Sequence, residues 1–295
     1  MAVLELLTIK IQQMTIESTN DTLPTAPAIT YSECYQQCFC SDNLELMKTI
    51  KSNTIDLIYC DILYGTGRKF KDYQDLKPIR SEIESHYIPR IKEMHRILKD
   101  TGSIYLQMDT RINHWVRLIM DDIFGYDNFK NEIIWHYQAG TKPKNNIGKK
   151  HDIIINYSKT DDYCFNDFRL KSTNEKNYNK IDENGEKYLI NGQGKIYYLK
   201  NGRASDDVWS CYLEPELQLT STNKQNLGYA TQKPKALIER IIKASSNEGD
   251  LVADFYLGSG TTAEVCKDLN RNFIGCDINP RAVEITLQRL NDARS

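Results

Sequence analysis

The chain has 295 residues and lacks any run approaching the roughly 18 uninterrupted apolar residues that a spanning helix needs. Mean hydropathy is −0.56. Met1 to Lys10 carries Glu5 and has no basic head, which makes a poor secretory signal. A cytoplasmic protein without membrane attachment is expected. An excess of positive charge is missing too: net charge is −2 and the pI about 6.2. That argues against a protein that coats nucleic acid non-specifically, while leaving room for a local basic cleft. Cysteine is present at eight positions, but never as Cys-x-x-Cys. Cys34, Cys38 and Cys40 fit no usual zinc spacing and have no histidine nearby, so no metal is expected. Cys60 and Cys276 lie in apolar runs and read as small reduced core residues. No internal repeat is evident.

What the chain does have is material for a core. Apolar residues make up 40% and charged ones 26%, enough for one large α/β domain or for a core domain with an insert. Residues 1–30 end in a Pro- and Thr-rich linker and read as a flexible N-terminal arm. From 31 to 138, apolar strands such as Ile55–Cys60 and Ser103–Met108 alternate with helical spacing, as in Ile83, Tyr87, Ile91 and Met94. Residues 139–228 break this rhythm, with Asn184-Gly185, Asn191-Gly192 and Asn201-Gly202 as turn signals, and read as an insert of short strands and long loops. Alternation resumes over 229–295. Strands separated by helices predict a doubly wound, mostly parallel, Rossmann-like sheet.

Two strand ends carry chemistry. Leu251–Phe255 runs into Gly258-Ser259-Gly260-Thr261-Thr262 and then a helix start. Glycines let the backbone pass close to a ligand, and Asp277 closes the next strand, where a carboxylate can accept both hydroxyls of a ribose. Gly258-x-Gly260-x-x-Ala263 also fits a dinucleotide fingerprint, so a nicotinamide oxidoreductase is one reading. Asp254, just before the loop, would repel pyrophosphate and suits a cationic amino group, as in S-adenosylmethionine. The second end is Asp61-Ile62-Leu63-Tyr64, after the strand Ile55–Cys60. A carboxylate followed by an aromatic ring suits an exocyclic amine on a stacked base. Taken alone, it also reads as a loop cap and a packing ring.

Asp61-x-x-Tyr64, Thr231-Gln232-Lys233-Pro234 and Asp254-Phe255-x-x-Gly258-Ser259-Gly260-Thr261-Thr262 together resemble the amino-methylating DNA methyltransferases. The order, catalytic loop first and donor loop last with an insert between, resembles the permuted β group. Asp42-Asn43-Leu44-Glu45 and Phe273–Pro280 add to the likeness, which spans roughly residues 34–290. The resemblance implies S-adenosylmethionine as cofactor, double-stranded DNA as partner, and 139–228 as the target-recognition region. It places Asp61, Ile62, Leu63 and Tyr64 at the catalytic loop. It implies a donor site of Asp42 near the adenine, Lys233 and the glycine loop near the carboxylate, Asp254 with Phe255, and Asp277 at the ribose. Ser259 and Thr261 complete that loop. Relatives in this group often dimerise or serve a restriction partner, which implies a homodimer or a cognate restriction subunit.

A departure stands at Ile62 and Leu63, where relatives carry two prolines that fix φ and remove donors. A homologue that binds DNA or a partner without turnover is therefore a competing reading. Methylation at cytosine C5 is excluded, because that reaction uses a cysteine after a proline and no proline here precedes one. The leading Asp, rather than Ser, resembles the adenine-N6 subset more than the cytosine-N4 subset. For DNA, Arg68 and Lys69 flank the catalytic loop, and Lys142, Lys144, Lys149 and Lys150 cluster near the start of the insert. Both clusters suit phosphate contacts, which position without reading sequence.

Overall fold

In a computed structural model the described residues are 35–292, apart from 70–73, 139–142, 173, 221–222, 224 and 230–231. The expected arm over 1–30, together with Cys34, Lys142 and Thr231, lies outside them.

Fourteen elements build the part that carries the site. They are β1 (Gln36–Cys40), α1 (Asn43–Thr49), β2 (Ile55–Asp61), α2 (Arg80–Ile97), β3 (Leu98–Met108), α3 (Asn113–Phe124) and β4 (Phe129–His136). There follow β5 (His151–Ser158), β6 (Val208–Ser210), α4 (Lys235–Ser245), β7 (Leu251–Asp254), α5 (Thr261–Asp268), β8 (Asn272–Asp277) and α6 (Pro280–Asp292). The strands form one sheet in the order β1-β8-β7-β2-β3-β5-β4-β6. Neighbours are parallel except on either side of β5, which runs antiparallel to both β3 and β4. The expected mostly parallel, Rossmann-like sheet is the fold.

The sheet is sandwiched because its strands are apolar on both faces. Ile58 and Cys60 of β2 pack with Met47, Ile83, Ile91 and Met120 from α1, α2 and α3. Leu57 and Tyr59, one step along the pleat, pack with Ile238, Ile241, Val265 and Val283 from α4, α5 and α6. The period of two therefore assigns each helix set its own face.

Residues 139–228, expected as an insert, give two strands to this sheet. The run Ile153-Ile154-Ile155 lies fully inside, and β5 fills the space between β3 and β4. Its burial depends on pairing with segments distant in sequence, so the polar surroundings concealed it. Outside the sheet, 159–207 holds a two-stranded ladder (Arg169–Leu170 with Arg203–Ala204) and a three-stranded one (Lys180–Ile181, Lys187–Ile190, Ile196–Tyr198).

Candidate active site

The two chemistry-bearing strand ends are neighbours. β7 pairs with β2 in parallel, with Val252 opposite Leu57 and Ala253 opposite Ile58. Asp254 and Asp61 therefore leave the sheet at the same edge, where ligands of open α/β sheets bind. The Phe255 amide donates to Cys60 Sγ at 3.4 Å, tying the two ends together. A cavity of about 490 Å³ opens there, lined by Asp42, Asp61, Tyr64, Asp254, Gly258 and Asp277, among others.

The loop after β2 is held without prolines. The Ile62 amide donates to the Gln107 carbonyl at 3.0 Å, and Tyr87 Oη donates to the Leu63 carbonyl at 2.8 Å. Ile62 itself is buried in the core. Beyond Tyr64, the buried Asp75 accepts from the Gly65 and Thr66 amides at 3.1 and 2.7 Å, fixing the next turn. These bonds supply, from neighbouring elements, the restraint that prolines would supply locally.

Asp61 carries two donors. Tyr64 Oη lies 2.8 Å from Asp61 Oδ1, and Lys233 Nζ donates to Asp61 Oδ2. Burial raises the Asp61 carboxyl above its ordinary value, and the Lys233 cation partly offsets this. The Tyr64 hydroxyl, buried and facing Asp61 and Asp152, is held well above its usual range and stays protonated. The Lys233 ammonium lies 5.7 Å from the Tyr64 ring centroid. The resemblance puts Lys233 near the donor's carboxylate; here its ammonium is on Asp61.

On the donor side, Asp254 is 2% exposed. Thr262 Oγ1 donates to its Oδ2 at 2.7 Å and the Tyr256 amide to its Oδ1 at 3.0 Å. Burial outweighs these bonds and pushes its pKa up to about 7. Asp277, at the end of β8, accepts from the Gly258 and Asn279 amides, both at 2.9 Å, and so pins the glycine loop to the next strand. Gly260 sits at φ 74°, and a Cβ there would run into the Thr286 side chain of α6. Ser259 and Thr261 are buried, and Arg289 Nη1 holds both through the Ser259 carbonyl at 3.1 Å and Thr261 Oγ1 at 3.0 Å. Phe255 is buried and lines the cavity.

Asp42 lines the cavity but is already engaged. Its Oδ1 accepts from the Leu44 amide at 2.8 Å, capping α1, and its Oδ2 takes Arg90 Nη2 at 2.8 Å. Arg90 and His86, one turn apart on α2, both face the cavity, and His86 Nε2 lies 3.1 Å from Tyr256 Oη. Burial, then the Arg90 charge, lowers the His86 pKa to about 4, so this ring is neutral near pH 7. Sequence reasoning missed His86, Arg90, Asp75 and Asp152. The last was signalled only by a polar residue opening an apolar run.

Of the basic residues, Arg68 and Lys69 are exposed on the turn that follows Tyr64, and Lys144 and Lys149 are exposed before β5. Lys150 is half-buried. Because β5 runs antiparallel, its first residues stand at the edge where the parallel strands end. Among the described residues, no group of three His, Cys, Asp or Glu is placed to hold a metal ion, and no helix is long and apolar enough to cross a membrane.

Fold and cavity together define a Rossmann-like α/β protein with a ligand cavity at the ends of its parallel strands. The family described as DNA methylase matches residues 55–288. The Type II methyltransferase M.HpaI of Haemophilus parainfluenzae is 31% identical over 257 residues, covering 87% of this chain and 74% of that protein. The DNA adenine methyltransferase YhdJ of Escherichia coli K12 is 29% identical, covering 85% and 81% of the two chains. Among solved structures, the PvuII DNA methyltransferase, cytosine-N4-specific, aligns with a TM-score of 0.61 at 18% identity, over 88% of this chain and 87% of that one. The chain belongs to the DNA methylase family, the amino-methylating enzymes of adenine N6 and cytosine N4. Their methyl donor is S-adenosylmethionine.

The cavity fits that donor. Its volume lies in the range of small-molecule sites. Two carboxylates, Asp254 and Asp277, line it with Gly258 between them, while Gly260 turns its bare α-carbon towards Thr286 of α6 and not into the cavity.

Proposed function

We propose that this protein methylates the exocyclic N6 of adenine at a specific sequence in double-stranded DNA. The observation that carries the reading is the adjacency of β2 and β7, which brings Asp61 and Asp254 to one cavity. A paired base hides its amine inside the duplex, so the nucleotide must be flipped into the site. When bound, S-adenosylmethionine supplies an electrophilic methyl group on a sulfonium that leaves as a neutral thioether.

The chain's own groups prepare the nucleophile. Asp61 accepts one amine hydrogen and the Ile62 carbonyl the other, drawing the nitrogen out of conjugation with the ring. Tyr64 stacks on the base, a contact worth about 1–3 kcal/mol on the usual scale for bases on aromatics. As the new C–N bond forms, the nitrogen becomes cationic, and its surplus proton leaves towards Asp61. Lys233 donates to Asp61 Oδ2, with its ammonium 5.7 Å from the Tyr64 ring centroid, so the amine claims the other oxygen, Oδ1. Asp254 takes the donor's ammonium and Asp277 its ribose, while Asp42, bonded to Arg90, lies near the adenine.

Two features favour adenine over cytosine: the leading Asp at 61, and the likeness to YhdJ, described as a DNA adenine methyltransferase. The deciding experiment is transfer of labelled methyl from S-adenosylmethionine to unmethylated bacteriophage DNA, followed by digestion to nucleosides. N6-methyladenine is expected from the wild type. Asp61→Ala is expected to lose transfer by more than a thousandfold while still binding the donor. N4-methylcytosine would move the target to the other base, and retained turnover in Asp61→Ala would remove Asp61 from the chemistry. A wild type that binds donor and DNA without transfer would be the non-catalytic homologue.

A further inference from the structure

Behind the catalytic loop lies a buried polar network centred on Asp152, the second residue of β5. Asp152 is 3% exposed, Gln107 of β3 is 0% and Tyr59 of β2 is 1%. Tyr59 Oη donates to Gln107 Oε1 at 2.7 Å, which turns the amide so that Gln107 Nε2 donates to Asp152 Oδ2 at 3.2 Å. Tyr137 Oη donates to Asp152 Oδ1 at 2.8 Å. The remaining partner belongs to the site itself. Tyr64 Oη stands 2.7 Å from Asp152 Oδ2 and 2.8 Å from Asp61 Oδ1.

A phenol has one proton and can donate to one of these oxygens at a time. The two carboxylates therefore compete for it, and the geometry suits either outcome without movement of the ring. A buried carboxylate whose donors here are neutral side chains is costly to retain, which argues that it serves something beyond packing.

We propose that Asp152 is a positioning residue for methyl transfer: it takes over the Tyr64 hydroxyl when the target amine claims Asp61 Oδ1. This rests on the reading of Asp61 and Tyr64 given above. Breaking the Tyr64–Asp61 bond would otherwise strand a buried hydroxyl and loosen the ring on which the base stacks. With Asp152 waiting at bonding distance, the hydroxyl exchanges one acceptor for another, and the ring keeps its orientation. Gln107 and Tyr137 hold Asp152 still for that purpose.

Asp152 also acts on Asp61 through space, as a like charge that raises its pKa. The groups facing Asp61 are Lys233 from the loop before α4, Tyr64 from its own loop, and Asp152 from β5. Tyr59 and Cys60 of β2, Tyr137, and Asp254 of β7 complete the set. Removing the Asp152 charge should therefore let Asp61 ionise at lower pH.

The test uses Asp152→Asn, a near-isosteric change, alone and combined with Tyr64→Phe, with methyl transfer to unmethylated bacteriophage DNA as the assay. Asp152→Asn is expected to lower kcat at least tenfold with KM for S-adenosylmethionine changed less than twofold. Its acid limb should move to lower pH. In the Tyr64→Phe background the same substitution should cost less than threefold, because the hydroxyl through which it acts is gone. Independently of turnover, carbon-13 NMR titration of labelled aspartates should show the Asp61 carboxyl titrating lower in Asp152→Asn, its signal assigned with Asp61→Asn. Losses that multiply in the double variant, or an unmoved Asp61 titration, would overturn the proposal. Retained turnover in Asp61→Ala would instead overturn the underlying reading, so the two failures are told apart.

Discussion

Asp254 is a carboxylate whose pKa, about 7, sits where the role proposed for it needs ionisation. Desolvation dominates, since Thr262 and the Tyr256 amide both favour the charged form and still fail to restore the ordinary value. A cationic ligand is the missing compensation: an ammonium placed against Asp254 would return the attraction that water no longer provides. In the free protein the folded state holds this proton longer than the unfolded chain does. The group's contribution to stability is thus complete below about pH 4 and is lost as pH rises through about 7. In the proposed reading donor binding runs the other way, because the ionised form is the one that would take the ammonium. S-adenosylmethionine affinity, measured by calorimetry between pH 8.5 and 5.5, is expected to fall about tenfold per unit below pH 7, the slope of one required ionisation. Asp254→Asn should bind weakly at every pH with a shallower dependence. A wild-type profile as shallow as the variant's would detach the ammonium from Asp254.

Elements fix where such residues stand, and the glycine loop between β7 and α5 shows how narrowly. Gly260 is the residue before α5, left-handed at φ 74°, and α6 packs so close that Thr286 fills the place of a side chain. Gly260→Ala therefore meets backbone strain and a collision together. It should cost about 1–3 kcal/mol for the strain alone and more for the clash. Gly185, at φ 80° with open space around it, gives the matched control: Gly185→Ala bears the strain without the clash. Thermal melts with and without S-adenosylmethionine should show Gly260→Ala with the lower Tm and little ligand stabilisation, and Gly185→Ala with the normal ligand shift. Equal losses in the two would mean that the loop's approach to α6 is not tight. Loops of this kind are legible in sequence because their residues are local: strand, carboxylate, glycines and helix start follow one another from Leu251 to Thr262. So is the Asp61–Tyr64 loop. What joins distant segments was not legible. The β5 strand announces itself only by three isoleucines inside a polar stretch, and its place between β3 and β4 follows from pairings made at long range. With β5 went Asp152. The Lys233–Asp61 pair spans 172 positions, and no local spacing could have foretold it.

At the scale of the whole molecule, a net charge of −2 has to be reconciled with a polyanionic substrate. In the proposed reading a local group of cations at the loop edge does so. Parallel strands end at one edge, the catalytic and donor loops leave there, and the antiparallel β5 begins there, bringing Lys149 and Lys150 to the same side. Arg68 and Lys69 follow Tyr64 on the adjoining turn, and Lys144 precedes β5. Lys51, by contrast, sits before β2, at the opposite edge. A duplex laid across the loop edge would meet these cations with its phosphates while one nucleotide turns inward. Removing one cation from a phosphate should reduce the slope of log affinity against log salt by about 0.9. The double charge reversal Lys149→Glu with Lys150→Glu is therefore expected to weaken duplex binding and to lower that slope by about two. S-adenosylmethionine affinity should not change, since neither residue borders the donor cavity. Lys51→Glu should leave the slope where it is. Fluorescence anisotropy of a labelled mixed-sequence duplex over a salt series measures both variants at once. A slope unaltered by the double reversal would take Lys149 and Lys150 off the DNA face, and an equal fall for Lys51→Glu would reduce their part to a general electrostatic effect.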